Sequence, residues 1–230
     1  MEMQYEAELT KDFSSNEIQN LKIIVDSESV KLCSGDRFSV YICHMIHLDQ
    51  QPVVHLKNKT LTLKAFAQKE DYLAFRPKME VIIPADAKLK SLSITNKNGK
   101  TKIDNLQTKT TKLELGEGNF TCEKFTSQTM KIKAQNEDIK FYQVNLKNLN
   151  LKNQKGDLDL VKLTTIKPSI IKNGTGDITL TNATTPGLDI NTAIGKVQIY
   201  GKNQKQTRYK AGNKKRMLKV QTNSGDIKVG

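Results

Sequence analysis

A glycine recurs at a nearly constant interval along most of the chain. Its positions, with Glu137 filling one missing place, are separated by 19, 19, 19, 20, 19 and 30 residues. The last interval equals one period plus eleven inserted residues. A period near twenty predicts a repeat protein, in which each unit buries its apolar face only by stacking on its neighbours. The column consists of Gly99, Gly118, Glu137, Gly156, Gly176, Gly195 and Gly225.

Apolar residues flank this column at fixed offsets of two residues, which is the spacing of a strand with one inward face. Each unit therefore reads as strand, tight turn, strand, and the helical half of a leucine-rich repeat is missing. We predict an all-β, single-domain parallel β-solenoid (β-helix) with coils of 19 to 20 residues. Five positions before the column stand Ile94, Leu113, Ile132, Leu151, Ile171, Ile190 and Val220, and two positions after it stand Thr101, Phe120, Ile139, Leu158, Ile178, Val197 and Ile227.

The turn at the column has a simple chemical basis. Glycine adopts a positive φ without steric cost, and an aspartate after it can accept hydrogen bonds from turn amides, as in Gly156-Asp157 and Gly176-Asp177. Glu137 breaks the pattern, so either Asn136 takes the left-handed conformation or this turn is built differently.

Residues 1–83 alternate less regularly and are expected to form an irregular N-terminal β cap, whereas residues 84–230 form the regular coils. Within the cap, residues 54–56 and 61–63 are predicted to flank a hairpin turn at 57–60. At the other end, Gly230 follows the last apolar residue directly, so no C-terminal cap is expected. An uncovered end offers backbone groups to another copy of the chain, and oligomerisation through that end is a possible consequence.

The charge balance would suit an anionic partner if the positive charge were concentrated on one face, which composition alone does not show. The chain carries 37 Lys and Arg against 24 Asp and Glu, a formal charge of +13, but only four of the basic residues are arginine. A protein that reads nucleic acid through guanidinium groups would be expected to use more arginine, and few aromatic residues are available for base stacking.

The most basic segment is the insertion at 201–217, which we predict to be a hairpin between complete coils. It and the two residues that follow contain no acidic residue, and we predict that they bind an anionic polymer or a protein partner. The alternative is a solvated protrusion in a lysine-rich protein. Lys112, Lys131 and Lys152 on the coils serve as comparison positions. The predicted site residues are Lys202, Lys205, Arg208, Tyr209, Lys210, Lys214, Lys215, Arg216 and Lys219.

Asp138, Asp157 and Asp177 occupy one column in three consecutive coils. Stacked carboxylates repel unless their charge is offset, so this column is a possible cation site. Capping of each turn by its aspartate is the simpler interpretation and the favoured one.

A second cluster, Cys33, Cys43, His44, His47 and His55, resembles a metal-ligand set. If 41–47 is a strand, however, His44 and His47 point to opposite faces, so a structural role is favoured and no metal site is assigned. Cys122 falls in an inward column and is expected to be a small buried hydrophobic residue. The three widely spaced cysteines argue against a disulfide framework. No cofactor motif is present.

No apolar run approaches the length of a membrane span, and the first thirty residues do not resemble an export signal. These features favour a cytoplasmic location. The alternative is the cell envelope, if an export or anchor segment has been removed.

Several segments together resemble the bacterial "putative adhesin" β-solenoid family, a domain of unknown function. The resemblance covers residues 13–230 and implies a right-handed solenoid, often encoded near envelope-stress or sensing genes and often tied to a membrane segment. The segments are residues 18–25, residues 30–40 with their Ser-Gly-Asp, the Val-Ile-Ile-Pro of 81–84, and the repeated units T-N-x-x-G-x-x-x-I and S-G-D-I-K-V.

These features predict a non-enzymatic binding or scaffold protein, and the resemblance adds cell-envelope sensing or adhesion. A polysaccharide-active β-helix enzyme is the alternative, and it would require carboxylates clustered on one solenoid face. Nucleic-acid binding ranks third.

Overall fold

The computed structural model describes residues 6–14, 17–45, 51–66, 77–87, 89–205 and 207–230, and within them the chain is almost entirely β-strand with no α-helix. The strands are β1 (Glu6–Phe13), β2 (Asn20–Val25), β3 (Ser29–Gly35), β4 (Phe38–Met45), β5 (Val53–Lys57), β6 (Thr60–Ala65), β7 (Lys78–Pro84), β8 (Leu89–Asn98), β9 (Thr101–Asp104), β10 (Gln107–Lys155), β11 (Leu158–Thr165), β12 (Ser169–Thr175), β13 (Ile178–Thr181), β14 (Gly187–Ile194), β15 (Val197–Ile199), β16 (Lys202–Asn203), β17 (Arg208–Gly212), β18 (Leu218–Ser224) and β19 (Ile227–Val229).

Most neighbouring strands are parallel and pair residues one repeat apart. Leu113 pairs with Ile94, Ile139 with Leu158, and Leu151 with Ile171. The 49-residue β10 runs through successive coils and pairs with β8 and β9 on one side and with β11 and β12 on the other. The result is an open, all-β, solenoid-like sheet, as the repeat predicts. Its core is formed by the inward columns, whose members from Ile94 to Val220 are buried.

The coils do not stack in chain order at the C-terminal end. β18 pairs in parallel with β12 on one side and with β14 on the other, so Val220 lies between Ile171 and Ile190. β19 lies between β13 and β15 in the same way. The last coil of the sequence is therefore the second-to-last coil of the stack.

Hydrogen bonds from a column of polar side chains inside the glycine corner follow the same stacking order of the coils. Asn173 donates to the carbonyl oxygen of Gly156 at 2.8 Å, Thr222 to that of Gly176 at 3.3 Å, and Thr192 to that of Gly225 at 2.9 Å. Because each donor reaches the coil stacked beneath it, the 218–229 coil is bonded to both neighbours. Asn96, the asparagine of a T-N-x-x-G unit, makes the equivalent hydrogen bond and donates to the backbone carbonyl oxygen of Glu28.

The N-terminal end has the same exchange of order. β2 lies between β6 and β8, and β3 lies between β7 and β9, all in parallel register. The region expected to be irregular thus contributes strands in register with the regular coils: β2 and β3 within residues 20–35, and β6 and β7.

Antiparallel strands cover both outermost coils. At the N-terminal end β4 pairs with β7 and β1, and β5 pairs with β6 through a turn in which Asn58 and Lys59 have φ of 50° and 59°. This confirms the predicted hairpin. At the C-terminal end β17 pairs with β14, and β16 with β15. The expectation of an uncapped C-terminal end is therefore wrong: residues before the last coil supply the cap.

The glycine turns are as expected, and Gly176 shows why they resist substitution. Its φ is +125°, and a Cβ atom there would collide with the backbone carbonyl of Gly156 in the coil beneath. A second turn column, unnoticed in the sequence, places non-glycine residues in the left-handed region with φ between 46° and 57°. Its members are Asn105, Lys124, Gln143, Lys162, Asn182 and Tyr200.

The chain passes the Glu137 position of the glycine column without a left-handed residue. Asn136 does not take a positive φ, and the chain stays extended through this corner. The Glu137 side chain is buried, and burial, with a smaller contribution from the Asp138 charge, raises its pKa to about 8. The strand register places a second buried glutamate, Glu28, in the same column, where its Oε2 accepts hydrogen bonds from the amides of Asp26 and Ser27 at 3.0 Å.

Candidate anion-binding surface

The basic insertion is part of the C-terminal cap rather than a free protrusion. Tyr209 of β17 is half-buried, packs against the core and pairs with Ile190. Arg208 Nη2 lies 3.3 Å from Asp189 Oδ1, and Lys210 Nζ lies 3.9 Å from Asp189 Oδ2. Three predicted binding residues thus hold the cap on the outermost coil, and two of their charges are offset by Asp189.

Three other predicted residues do come together. Lys214, Lys215 and Lys219 line a cleft of about 350 Å³ between the 213–217 turn and the coil edges at 148–150 and 168–170. The turn is held by the amide of Lys215, which donates to Asn213 Oδ1 at 2.9 Å. No acidic residue lines this cleft in the described part of the chain. Lys202 and Lys205 lie away from it, on and beside β16, and Arg216 is exposed in the turn.

Lys219 also belongs to a larger basic surface on the coils. The outward residues four and six places before the glycine column lie on one face of the sheet. Six of these fourteen residues are exposed lysines, and two, Glu114 and Asp189, are acidic. Lys152 pairs directly with Lys172. Lys219 pairs with Ile170, which on its other side pairs with Asn150. We call this surface the basic face; it comprises Lys112, Lys131, Lys133, Lys152, Lys172 and Lys219.

The positive charges of the basic face are offset in part, since Glu114 and Asp189 lie on it and Asp189 pairs directly with Lys219. Lys112 Nζ contacts Glu114 Oε1 at 2.8 Å, and this hydrogen bond, with the nearby charges of Lys133 and Lys131, lowers the pKa of Glu114. Among the described residues, the other five lysines form no ion pair within 4.0 Å. Stacked ammonium groups raise the local concentration of anions.

Sequence reasoning missed this face, although the signal was present. Lys133, Lys152 and Lys172 recur at the same offset from the glycine column. The comparison positions Lys112, Lys131 and Lys152 lie on the face itself, on the same surface as Lys219. They are therefore not an independent control for the insertion.

The aspartate column forms a ladder of turn caps across the coils. Asp138 Oδ1 accepts the amide of Asp157 at 2.9 Å, and Asp157 Oδ1 accepts that of Asp177 at 2.8 Å. The ladder continues from Asp177 to Asp226 and from Asp226 to Lys196, which again follows the exchanged coil order. One oxygen of each carboxylate is thus engaged by a backbone amide, and the cation site stays a prediction.

The cysteine and histidine cluster is only partly visible. His47 lies outside the described residues, as does the His44 side chain, so the expected arrangement of His44 and His47 on opposite faces stays a prediction. Cys43 is buried, Cys33 is half-buried and His55 is exposed. No group of three or more potential metal ligands occurs among the residues that the structure describes. Cys122 is fully buried in the core, as expected, and burial raises the pKa of its thiol.

The family model of Toastrack DUF4097 matches residues 18–230, nearly the whole chain. The chain belongs to this family. The shared feature is the solenoid-like fold described above, and the match confirms the family resemblance seen in the sequence. Within the described residues, no helix is long and apolar enough to cross a membrane.

Three solved structures of bacterial proteins are similar to this chain. A "putative adhesin" from Bacteroides fragilis is 15% identical, covers 97% of each chain and superposes with a TM-score of 0.52. A "putative cell adhesion protein" from Clostridium sporogenes is 14% identical over 98% of this chain and 99% of its own, with a TM-score of 0.43. A "putative lipid binding protein" from Parabacteroides distasonis is 11% identical over 98% and 96%, with a TM-score of 0.44. No curated protein matches the sequence.

Proposed function

We propose that this Toastrack protein is a non-catalytic binding protein whose basic face holds an extended anionic polymer along the solenoid axis. The observation that carries the proposal is the stacking of Lys133, Lys152 and Lys172 at one repeat per coil, without ion-pair partners among the described residues. Coils lie about 4.8 Å apart. A polymer with closely spaced negative charges can therefore contact several rungs at once.

The acidic residues favour binding over polysaccharide cleavage. The aspartates of the glycine turns lie in one column and accept backbone amides, instead of converging on a cleft as a pair of catalytic carboxylates would. The adhesin name of the neighbour from Bacteroides fragilis fits a binding role. Nucleic acid is less favoured, since the face presents lysines without aromatic residues between them.

The test reverses the charge of one column. The variant with Lys133, Lys152 and Lys172 replaced by Glu should lose at least about tenfold in affinity for poly(glycerol phosphate), which corresponds to about 1.4 kcal/mol. Wild-type binding should weaken as salt rises, because displaced counterions contribute to it. All three side chains are exposed, so the melting temperature should not change.

The matched control has Lys140, Lys196 and Lys228 replaced by Glu, which changes the net charge equally on other surfaces of the solenoid. It should retain most of the binding. Equal losses from both variants would show that the net charge acts as a whole and that the basic face is not a site.

A further inference from the structure

A groove runs across the coils at the corner that borders the basic face. It crosses five successive rungs, at residues 89–90, 107–109, 126–128, 145–147 and 164–166, and encloses about 630 Å³. A shallower extension of about 390 Å³ adjoins it along Lys124, Gln143 and Lys162. Four coil steps make the groove on the order of 20 Å long.

Lysines flank the groove on both sides. Lys90, Lys109 and Lys147 stand along one side, and Lys124 and Lys162 stand along the other, all exposed. No carboxylate lines either part of the groove among the described residues. The ligand that fits this charge pattern is an anion with repeated negative groups along its length.

Hydroxyl and amide groups lie between the two rows. Thr126, Asn145 and Thr164 line both parts of the groove. Beneath them Thr108 Oγ1 lies 2.7 Å from Thr111 Oγ1 and 3.0 Å from Ser127 Oγ, in a buried hydrogen-bonded cluster. The polar floor is thus supported by buried hydrogen bonds and can meet the hydroxyl groups of a ligand.

The apolar surface in the groove is shallow. Leu89 and Leu146 are only 3% and 2% exposed, so they seal the floor without opening a pocket for an acyl chain. Ile166 at one end is 51% exposed, and Tyr142 beside the extension is 42% exposed, with Lys162 Nζ 5.5 Å from its ring centre. Small apolar patches among hydroxyl groups match the alternating C–H and O–H surfaces of sugar rings.

We propose that this groove binds a linear acidic polysaccharide of the uronate type. The carboxylates lie against the two lysine rows, the hydroxyl groups bond to Thr126, Asn145 and Thr164, and the ring faces contact Ile166 and Tyr142. The site uses residues outside the basic face, so either proposal can fail while the other stands.

The experiment measures binding of oligogalacturonates of increasing length to the intact chain. Affinity should rise with length until the oligomer spans the groove and then level off, whereas neutral dextran should not bind. Replacing Lys109 and Lys147 by Gln should reduce the affinity for oligogalacturonate at least tenfold. The control, with Lys133 and Lys172 replaced by Gln, should reduce it less than threefold while weakening poly(glycerol phosphate) binding.

Thr126→Val tests recognition of sugar hydroxyl groups, because it keeps the shape of an exposed side chain and removes a hydrogen-bonding group. It should weaken oligogalacturonate several-fold without changing the melting temperature. Equal effects of both lysine pairs, binding that grows with length without a plateau, or a stronger response to phosphatidylglycerol vesicles than to oligogalacturonate would each overturn the proposal.

Discussion

At the N-terminal end of the stack, β4 covers the outermost coil with a largely apolar layer, and β1 pairs with the other edge of β4. At the C-terminal end, β17 and β16 cover it with a largely exposed and basic one. Phe38, Val40 and Ile42 of β4 are nearly inaccessible to solvent, whereas in β17 only Tyr209 is half-buried. Both ends also place a coil out of chain order directly inside the outermost coil.

This difference in burial indicates that the two caps contribute differently to the protein. A sealed apolar layer protects unpaired backbone groups and adds to the core. A thin basic layer protects the edge with little burial and leaves its charges at the surface, where they adjoin the cleft formed by Lys214, Lys215 and Lys219. The N-terminal cap therefore contributes mainly stability, and the C-terminal cap combines a modest structural role with charge.

Each end of the stack has one coil out of chain order, and substitutions in these two coils should reduce stability most. Ile23→Asp and Val220→Asp each bury a charge without a partner and should lower the free energy of unfolding by several kcal/mol. Denaturant unfolding measures the loss. Hydrogen exchange should then show lost protection in β6 and β8 for Ile23→Asp, and in β12 and β14 for Val220→Asp.

The exposed neighbour Lys219→Asp is the control for the C-terminal coil and should leave the fold intact. A Val220→Asp variant with an unchanged unfolding transition would contradict the placement of the last coil between two earlier ones.

The second test compares the aromatic residues of the two caps. Phe38→Ala removes a buried ring that meets Phe13 edge-on at 6.2 Å, and should cost about 3 to 5 kcal/mol. Tyr209→Ala removes a half-buried ring and should cost about 1 to 2 kcal/mol. Thermal and denaturant unfolding of both variants, with Phe38→Leu and Tyr209→Phe as conservative controls, give the comparison. Similar losses at both sites would mean that the caps do not differ in the way described.

The third test uses the two buried glutamates of the glycine column, one in the N-terminal 20–35 coil and one in the central coils. The pKa of Glu137 is about 8 in the folded protein and about 4.3 when unfolded. Between these values the unfolded chain loses its proton while the folded chain keeps it, so stability should fall as pH rises from about 4.5 to 8 and then level off.

Glu137→Gln should flatten this dependence and should be more stable than the wild type at pH 9, by an amount of a few kcal/mol at most, at about 1.4 kcal/mol per pKa unit. Glu28→Gln should instead destabilise, because its carboxylate accepts two backbone amides. Denaturant unfolding across the pH range measures both. A Glu137→Gln variant with the wild-type pH profile would show that this carboxyl does not hold its proton.

The smallest expected effect concerns charge in the C-terminal cap. Arg208→Glu places a carboxylate beside Asp189, whose side chain is only 13% exposed, and should cost about 1 kcal/mol of stability. Lys205→Glu lies outside β16 and β17 and should be neutral. A calorimetric melt distinguishes the two. Equal melting temperatures of the two variants would contradict a stabilising contact between Arg208 and Asp189.

The candidate site was predictable in part. The sequence located a basic segment and named Lys214, Lys215 and Lys219, which the fold gathers around one cleft. It did not reveal that Arg208 and Lys210 meet Asp189, because these residues are brought together only by the antiparallel pairing of β17 with β14. The basic face and the groove were missed because their lysines come from different coils and meet only when the coils stack.

The sequence by itself determined the repeat and the inward columns, because the same short pattern recurs at a nearly fixed interval. It also determined the glycine turns and the hairpin at 57–60, because these depend on residues a few positions apart. The order of the coils was decided by tertiary structure. Every coil presents nearly the same apolar columns, so parallel pairing of the 218–229 coil satisfies hydrogen bonds and burial equally well beside several partners. In the structure this coil lies between Ile171 and Ile190, and that order makes the basic insertion the cap of the outermost coil.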